Sequence, residues 1–535
     1  MAARSATNEP GPEARVIEID IESIPDDALR AAARELKRAA LLVIEEKRLL
    51  QHRLERELRA RYGPSSERSA LLEPAAKGQT LLFPEEAAPP APPSPSGSPS
   101  SRPESATPKP ARAHQGRRPI AASVPRRRVL LDLDESEREC PCCRKPMQKI
   151  GEETAERVEY DPARLFVIEE VRPKYACTRC QEGVLTAPPT PLPIEKGLAG
   201  PSLLAHVAVS KFADHLPLYR QELMLKRSGV EIPRSTLCDW IAGTADRLEP
   251  IVAVMRVELL KSFAVHTDDT TVPVLEPGEK KTHKSRLWTY VGDRAHRHIV
   301  YEYTRTREGQ WPLRFLGGFR GHLHADDYAG YEELYRRGVR EVACWAHVRR
   351  KFFDARETDP PRCEWMIETI RDLYAIEREV HDATPEARAA ARRERSRPIL
   401  EKIRAFLDEQ SRAVLPKSPT GGAIAYALKL WPALLRFVDD GRLEIDNNRA
   451  ERALRGVVIG RKNWLFAGSD EGGRRAAIIY SVIATCKEHG VEPFEYLRDV
   501  LTRIPTFRGD PATLTPPAWK RAREAAASTA TALRS

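Results

Sequence analysis

Residues from about Pro64 to Pro125 are rich in Pro, Ala and Ser, with A-P-P-A-P-P-S-P-S-G-S-P-S-S among them. A stretch of this kind has too little apolar surface to offset the entropy of ordering it. It predicts a disordered, partly extended linker and so divides the 535-residue chain into a short N-terminal piece and a long remainder. A chain of this length has room for two to four domains. The linker ends in basic clusters, Arg117 with Arg118 and then Arg126, Arg127 and Arg128. Clusters like these are usually just solvated, but beside a nucleic-acid module they suit a phosphate-contacting arm. The whole chain carries 87 Lys and Arg against 77 Asp and Glu, a formal charge of +10 and a pI near 9.1. That excess suits a polyanionic partner, although net charge speaks to association rather than to fold. The first residues lack the apolar core of a signal peptide, and no uninterrupted apolar run approaches the length of a membrane span, so a soluble, cytoplasmic protein is expected.

Before the linker, Leu29, Leu36, Val43 and Leu50 recur every seven residues, with Ala33, Ala40 and Leu54 on the adjoining seam and Lys47 interrupting it. The pattern predicts a short coiled coil over Leu29–Leu58 and hence a homo-oligomer; an amphipathic helix packing within its own chain fits the periodicity equally. After the linker, four of the nine cysteines form two C-x-x-C pairs, Cys140 with Cys143 and Cys177 with Cys180. In a reducing compartment such pairs read as thiolate ligands for one structural Zn²⁺, presented on two tight turns. The strand-like R-V-E-Y and R-L-F-V-I-E-E-V-R-P-K-Y between them supply a hairpin that brings the pairs together. A redox dithiol is the rival reading.

The segment Pro201–Trp240 reads as several helices. Ser235 is placed to cap a helix carrying Leu237, Trp240 and Ile241, and R-S-G-V-E-I before it resembles the turn of a helix-turn-helix, with Arg234 and Ser235 toward DNA. A succession of three strands, a helix, a strand, a helix and a strand then runs from Val265 to Cys344. Two of these strands run into acidic pairs, Asp268 with Asp269 and Asp326 with Asp327. Later, D-N-N-R-A-E-R-A-L-R places Glu451 on a helix capped by Asp446 or Asn447, with Ala450, Ala453, Leu454, Val457 and Val458 as its apolar face. Glu451 with Arg455 four residues on is, by itself, an ordinary surface ion pair. Carboxylates at two strand ends and on a later helix, however, are the hard oxygen ligands on rigid elements that a divalent-metal phosphoryl-transfer site needs. Asp326 follows Asp268 by 58 residues, whereas 125 separate it from Glu451, and the longer gap is dominated by helical patterns, so a helical insertion is expected there.

The blocks H-T-D-D-T-T-V-P-V-L, A-D-D-Y-A-G-Y, C-W-A-H-V-R-R-K-F and I-D-N-N-R-A-E-R-A-L-R-G-V-V-I-G-R-K-N-W-L-F-A-G resemble the signature blocks of the insertion sequence 66 family of bacterial transposases. The resemblance runs, with gaps, from about Leu29 to about Leu501. It implies a multidomain α/β protein with a ribonuclease H-like core, and it places the family's catalytic Asp, Asp and Glu on Asp268, Asp326 and Glu451, jointly holding two Mg²⁺ or Mn²⁺ ions. Two departures are visible: the family often has Glu where this chain has Asp269, and Gly where it has Asp327.

The implied activity is cleavage at the ends of a mobile DNA element and strand transfer into target DNA, in the bacterial nucleoid and with short companion proteins of the same element. A catalytically inactive DNA-binding regulator, or a nuclease without strand transfer, fits the same blocks. Further DNA contacts are expected from Arg349 and Arg350, from Arg452 and Arg455 beside Glu451, and from Arg461, Lys462 and Trp464; a solvated face is the alternative for the first pair, and Trp464 suits the core equally. Cys344 and His347 form a C-x-x-H best suited to packing or orientation. The expected organisation is a coiled-coil segment at 1–63, a linker with a basic end at 64–128 and a zinc module at 129–195. A helix-turn-helix-like region at 196–260 precedes the core at 261–348, which a helical insertion at 349–445 separates from its last part with the Glu helix at 446–510; a loose tail closes the chain at 511–535.

Overall fold

The computed structural model describes residues 26–37, 40, 43, 47, 120, 124–139, 144–161, 164–176, 184–195, 197–275 and 281–532. By contact the chain divides into two units, and the larger, Arg118–Asp354 with Pro361–Ser535, carries everything discussed below except the helix at 27–37. No helix among the described residues is long and apolar enough to cross a membrane. Asp26 accepts the Ala28 and Leu29 N–H groups at 2.8 and 3.0 Å and so caps the helix at 27–37, on which Leu29 and Leu36 stand exposed. The rest of the Leu29–Leu58 seam apart from residues 40, 43 and 47, nearly all of the linker with Arg117 and Arg118, and Cys140, Cys142, Cys143, Cys177 and Cys180 lie outside the described residues.

The first sheet is built on a long hairpin, β2 (Gln148–Asp161) with β3 (Arg164–Ala176), flanked by β1 (Arg126–Leu130) running parallel to β3 and by the short β4 (Val184–Thr186). Val158, Val167 and Val171 are fully buried, which is what the β-branched alternation of these strands is for. The linker expected to extend to residue 128 therefore stops earlier. Arg126 and Arg128 pair with Glu156 and Glu152, each at 2.9 Å, and Arg127 lies 4.4 Å over the Phe166 ring. All three are strand residues with partners in the hairpin, not part of an extended arm.

Three helices follow: α1 (Pro201–Phe212), α2 (Leu218–Arg227) and α3 (Arg234–Leu259). Gly229, at φ 85°, stops α2, the Val230 N–H reaching back to the Leu225 carbonyl. α3 is capped by Pro233 with no side-chain hydrogen bond, so Ser235 sits inside its first turn and is not the expected cap. Leu237, Trp240, Thr244 and Leu248 bury one face of this 26-residue helix, while Arg234 and Ser235 remain exposed.

A five-stranded sheet forms the centre, in the order β7-β6-β5-β8-β9. β5 (Ala264–Leu275), β6 (Thr282–Val291) and β7 (Ile299–Thr304) are antiparallel neighbours; β8 (His322–His324) and β9 (Arg340–Val342) run parallel to β5. The short α4 (Gln310–Phe315) joins β7 to β8, and α5 (Glu332–Arg336) joins β8 to β9. Helices then take over: α6 (Trp345–Ala355), α7 (Pro360–Glu379), α8 (Pro385–Ala391), α9 (Arg397–Ala413), α10 (Pro419–Lys429) and α11 (Trp431–Asp439). A π-helical turn, Arg392–Ser396, joins α8 to α9 and carries a fully buried Arg392. Its guanidinium is bidentate to Glu377, at 2.7 and 2.6 Å, and also donates to the carbonyls of Phe437, Asp440 and Leu443, so the buried charge has its partners.

The chain returns to the sheet through α12 (Asn448–Trp464) and α13 (Asp470–Glu488), then α14 (Pro493–Arg503) and α15 (Pro516–Ala532). α13 covers the β7 edge, where Thr485 and Ser481 hydroxyls accept the Ile299 and Tyr301 N–H groups at 3.0 and 2.8 Å. The tail expected to be loose is ordered through residue 532. Two prolines start α15, Trp519 packs edge-on against Tyr496 at 5.6 Å, and its indole N–H donates to Asp499 at 2.6 Å.

Candidate active site

The sheet register sets the first two carboxylates side by side. His266 of β5 pairs with His324 of the parallel β8, and Asp268 and Asp326 each stand two residues further on. Asp268 lies within β5, whereas Asp326 follows the end of β8. Beneath them the His266 and His324 rings stack at 4.1 Å. Burial takes His266 down to about 3 and His324 well below the ordinary histidine range, so both rings are neutral.

α12 brings Glu451. Asn447, just before this helix, does not cap it with its side chain as expected. Fully buried, it donates from Nδ2 to the Thr267 carbonyl at 2.8 Å, meets His266 Nδ1 at 3.1 Å and gives its own N–H to Cys344 Sγ at 3.2 Å. The start of α12 is thereby tied to the residue before Asp268. Asp446 accepts the Asn448 N–H at 3.0 Å and the Tyr374 hydroxyl at 2.9 Å. Further along, Arg461 donates to the Thr271 carbonyl, and beyond α12 Ala467 bridges Val274, so the helix follows β5 for its whole length. Cys344 thus accepts a hydrogen bond at the start of α12, and burial pushes its thiol up to about 12.

Each acidic pair divides its duties. Asp269, its side chain 2 % exposed, accepts from Arg286 at 3.0 Å and Arg307 at 2.9 Å. Asp327 turns to Lys429, 2.7 and 2.8 Å away. Asp268 has no cation of its own among the described residues and accepts only the Asp269 N–H, at 2.7 Å. Burial above all, then the charges of Asp326, Asp269 and Glu451, push its carboxyl up to about 7 against that hydrogen bond. Asp326 is also raised by burial, with Arg307, 3.6 Å away, and His347 opposing the shift. A buried carboxylate facing two others is a group that a bound cation relieves.

Asp268, Asp269 and Glu451 face a cleft of about 650 Å³ lined also by Thr270, His347, Asn448, Arg350, Arg452 and Arg455; Asp326 is not among its lining residues. The three arginines make no ion pair among the described residues. Of the other residues expected to touch DNA, Arg126, Arg127, Arg128, Arg234, Ser235, Arg349, Arg461, Lys462 and Trp464 are not among those lining it. Trp464 packs against the core and Arg461 is held by β5. Sequence reasoning missed Arg286 and Arg307, and singled out Asn447 only as a cap: the arginines belong to β6 and the loop after β7, and only pairing across the sheet shows what they neutralise.

Comparison with known proteins gives the family. The model of the transposase IS66 family matches residues 196–475, the zinc-finger binding domain of transposase IS66 matches 137–181, the IS66 C-terminal element matches 481–513, and a model described as transposase C of IS166 homeodomain matches 49–129. Two uncharacterized proteins of Sinorhizobium fredii are similar through most of their length. One, y4jD, is 36% identical over 414 residues, covering 74% of this chain and 81% of its own; the other, y4qI, is 37% identical over 411 residues, covering 74% and 76%. With its central model spanning the sheet, the acidic residues and the helical insertion alike, this chain belongs to the IS66 family of transposases.

Proposed function

We propose that the chain cuts DNA at the ends of a mobile element and joins the freed 3′ hydroxyl to target DNA, using Asp268, Asp326 and Glu451 as ligands for two Mg²⁺ or Mn²⁺ ions. One observation carries the reading: Asp268 and Asp326 each follow paired residues of adjacent parallel strands by two positions, and the charges of Asp326 and Glu451 both act on the buried Asp268, while Asp269 and Asp327 pair with Arg286, Arg307 and Lys429. The all-oxygen donor set fits hard divalent ions. When bound, such ions activate the attacking oxygen and stabilise the departing one. The chain's own part is to hold three carboxylates on a rigid sheet and a tethered helix, and to present Arg350, Arg452 and Arg455 to the DNA backbone. No protein nucleophile is required, and none is assigned.

The core is read as ribonuclease H-like, which the order β7-β6-β5-β8-β9, with three antiparallel strands followed by two parallel ones, supports. Cys140, Cys143, Cys177 and Cys180 are read as one zinc site. The described flanks favour this, since Glu139 bridges Pro146 across the first pair and Ala176, just before the second, pairs with Gln148. Self-association through Leu29–Leu58 and companion proteins of the element complete the proposal.

The test is incubation of the purified full chain with DNA carrying the element ends and Mg²⁺ or Mn²⁺. Metal-dependent 3′ hydroxyl ends at a defined position and joined products are expected. Ends bound but never cut by the wild-type chain in either ion would instead favour the regulator reading.

A further inference from the structure

One group in the cleft is not a carboxylate. His347, on α6, lines it together with Glu451, and its Nε2 stands 3.4 Å from Glu451 Oε1. That separation is longer than an N–H···O hydrogen bond. It is the distance expected for two ligands of one ion: with metal–ligand bonds of about 2.1 Å, neighbouring ligands at 90–110° lie about 3.0–3.4 Å apart. The ring is otherwise uncommitted, because its Nδ1 is buried and has no hydrogen-bond partner among the described residues. Cys344 Sγ belongs to the same group, the three potential ligand atoms lying within 4.8 Å of one another, but it is buried, does not line the cleft and already accepts the Asn447 N–H.

We propose that His347 is a nitrogen ligand to the ion that Glu451 holds, so that one of the two metal positions is a mixed nitrogen–oxygen site preferring Mn²⁺ to Mg²⁺. Cys344 stays a hydrogen-bond acceptor that fixes the start of α12. The preference follows from ligand chemistry: imidazole suits borderline transition ions, whereas Mg²⁺ takes oxygen and water. This inference rests on the three-carboxylate reading above, and the experiment separates the two.

Mn²⁺ is added to the untagged full chain, and its ligands are read by pulsed electron paramagnetic resonance, with natural-abundance and then ¹⁵N-histidine protein. Directly coordinated nitrogen that changes with the isotope is expected in the wild type and absent in His347→Gln. Mn²⁺ affinity should fall about tenfold in that variant, and Mg²⁺ affinity should stay within about twofold. Mn²⁺ bound through oxygen alone, in a wild-type protein whose binding is lost in Asp268→Asn, overturns the histidine assignment and leaves the carboxylate site standing. Failure of the wild type to bind Mn²⁺, or binding unaffected by Asp268→Asn and Glu451→Gln, overturns both. The wild-type spectrum alone decides the matter should His347→Gln fail to fold.

Discussion

Removing the charge of Asp268 should stabilise the protein when divalent ions are scarce. In the folded chain this carboxyl is pushed up to about 7, chiefly by burial, from an ordinary value of 3.8. Between about pH 4 and pH 7 the folded state therefore binds more protons than the unfolded one, and the unfolding free energy falls as pH rises through that window. At 1.36 kcal/mol per pKa unit the loss is up to about 4 kcal/mol, a ceiling because the cleft admits solvent. Asp268→Asn keeps an oxygen to accept the Asp269 N–H but cannot ionise, so it should escape the loss. Melting at pH 5 and pH 8 is the assay, after dialysis to remove weakly held ions and without chelators, which would attack a zinc site. A shift of roughly 1–2 °C per kcal/mol, scaled from smaller domains, gives the variant an advantage of up to about 8 °C at pH 8 and about two-fifths of that at pH 5, where the unfolded carboxyl has already ionised. Added Mg²⁺ should raise the melting temperature of the wild type and not that of Asp268→Asn. Parallel pH curves for the two proteins would refute the reasoning.

Three further outcomes can be checked. Asp327→Ala should lower stability by less than about 1 kcal/mol and leave cleavage within about threefold of wild type, because its partner Lys429 is exposed, while Asp326→Ala should abolish cleavage. Asn447→Ala, which removes the bonds to Thr267 and His266, should cost about 2–4 kcal/mol in denaturant unfolding and reduce cleavage by misplacing Glu451. Metal analysis should return about one zinc per chain, lost in Cys177→Ser with Cys180→Ser; full retention would remove the zinc assignment.

What was legible in the sequence was local. A short apolar run before the second acidic pair showed where β8 stops, whereas β5 runs on through Asp268 and Asp269 to Leu275 because β6 pairs with it there; helical spacing after Asn447 showed where Glu451 rides, because that periodicity is set by near neighbours. The same signal marked the helices between Arg349 and Phe437. What was not legible depends on partners distant in sequence. Nothing near Asp269 reveals that Arg307 reaches it, and nothing near Asn447 reveals that its side chain faces Thr267 and not its own helix. The tail misled for a related reason: its Ala-rich composition gives no core face, and it is anchored by Trp519 against α14, by the Leu514 carbonyl accepting from Tyr496 and by Lys520 donating to the His489 carbonyl. Arg126–Leu130 is ordered by β3, which begins 34 residues after Leu130.

The central claim, that these carboxylates ligate the ions that do the chemistry, is tested most directly by exchanging oxygen for sulfur in the protein. Mg²⁺ binds sulfur poorly and Mn²⁺ accepts it. Asp268→Cys and Asp326→Cys should each lose cleavage of element-end DNA in Mg²⁺ and regain a measurable fraction in Mn²⁺, with DNA binding unchanged. Wild-type cleavage by either variant in Mg²⁺ would contradict the account.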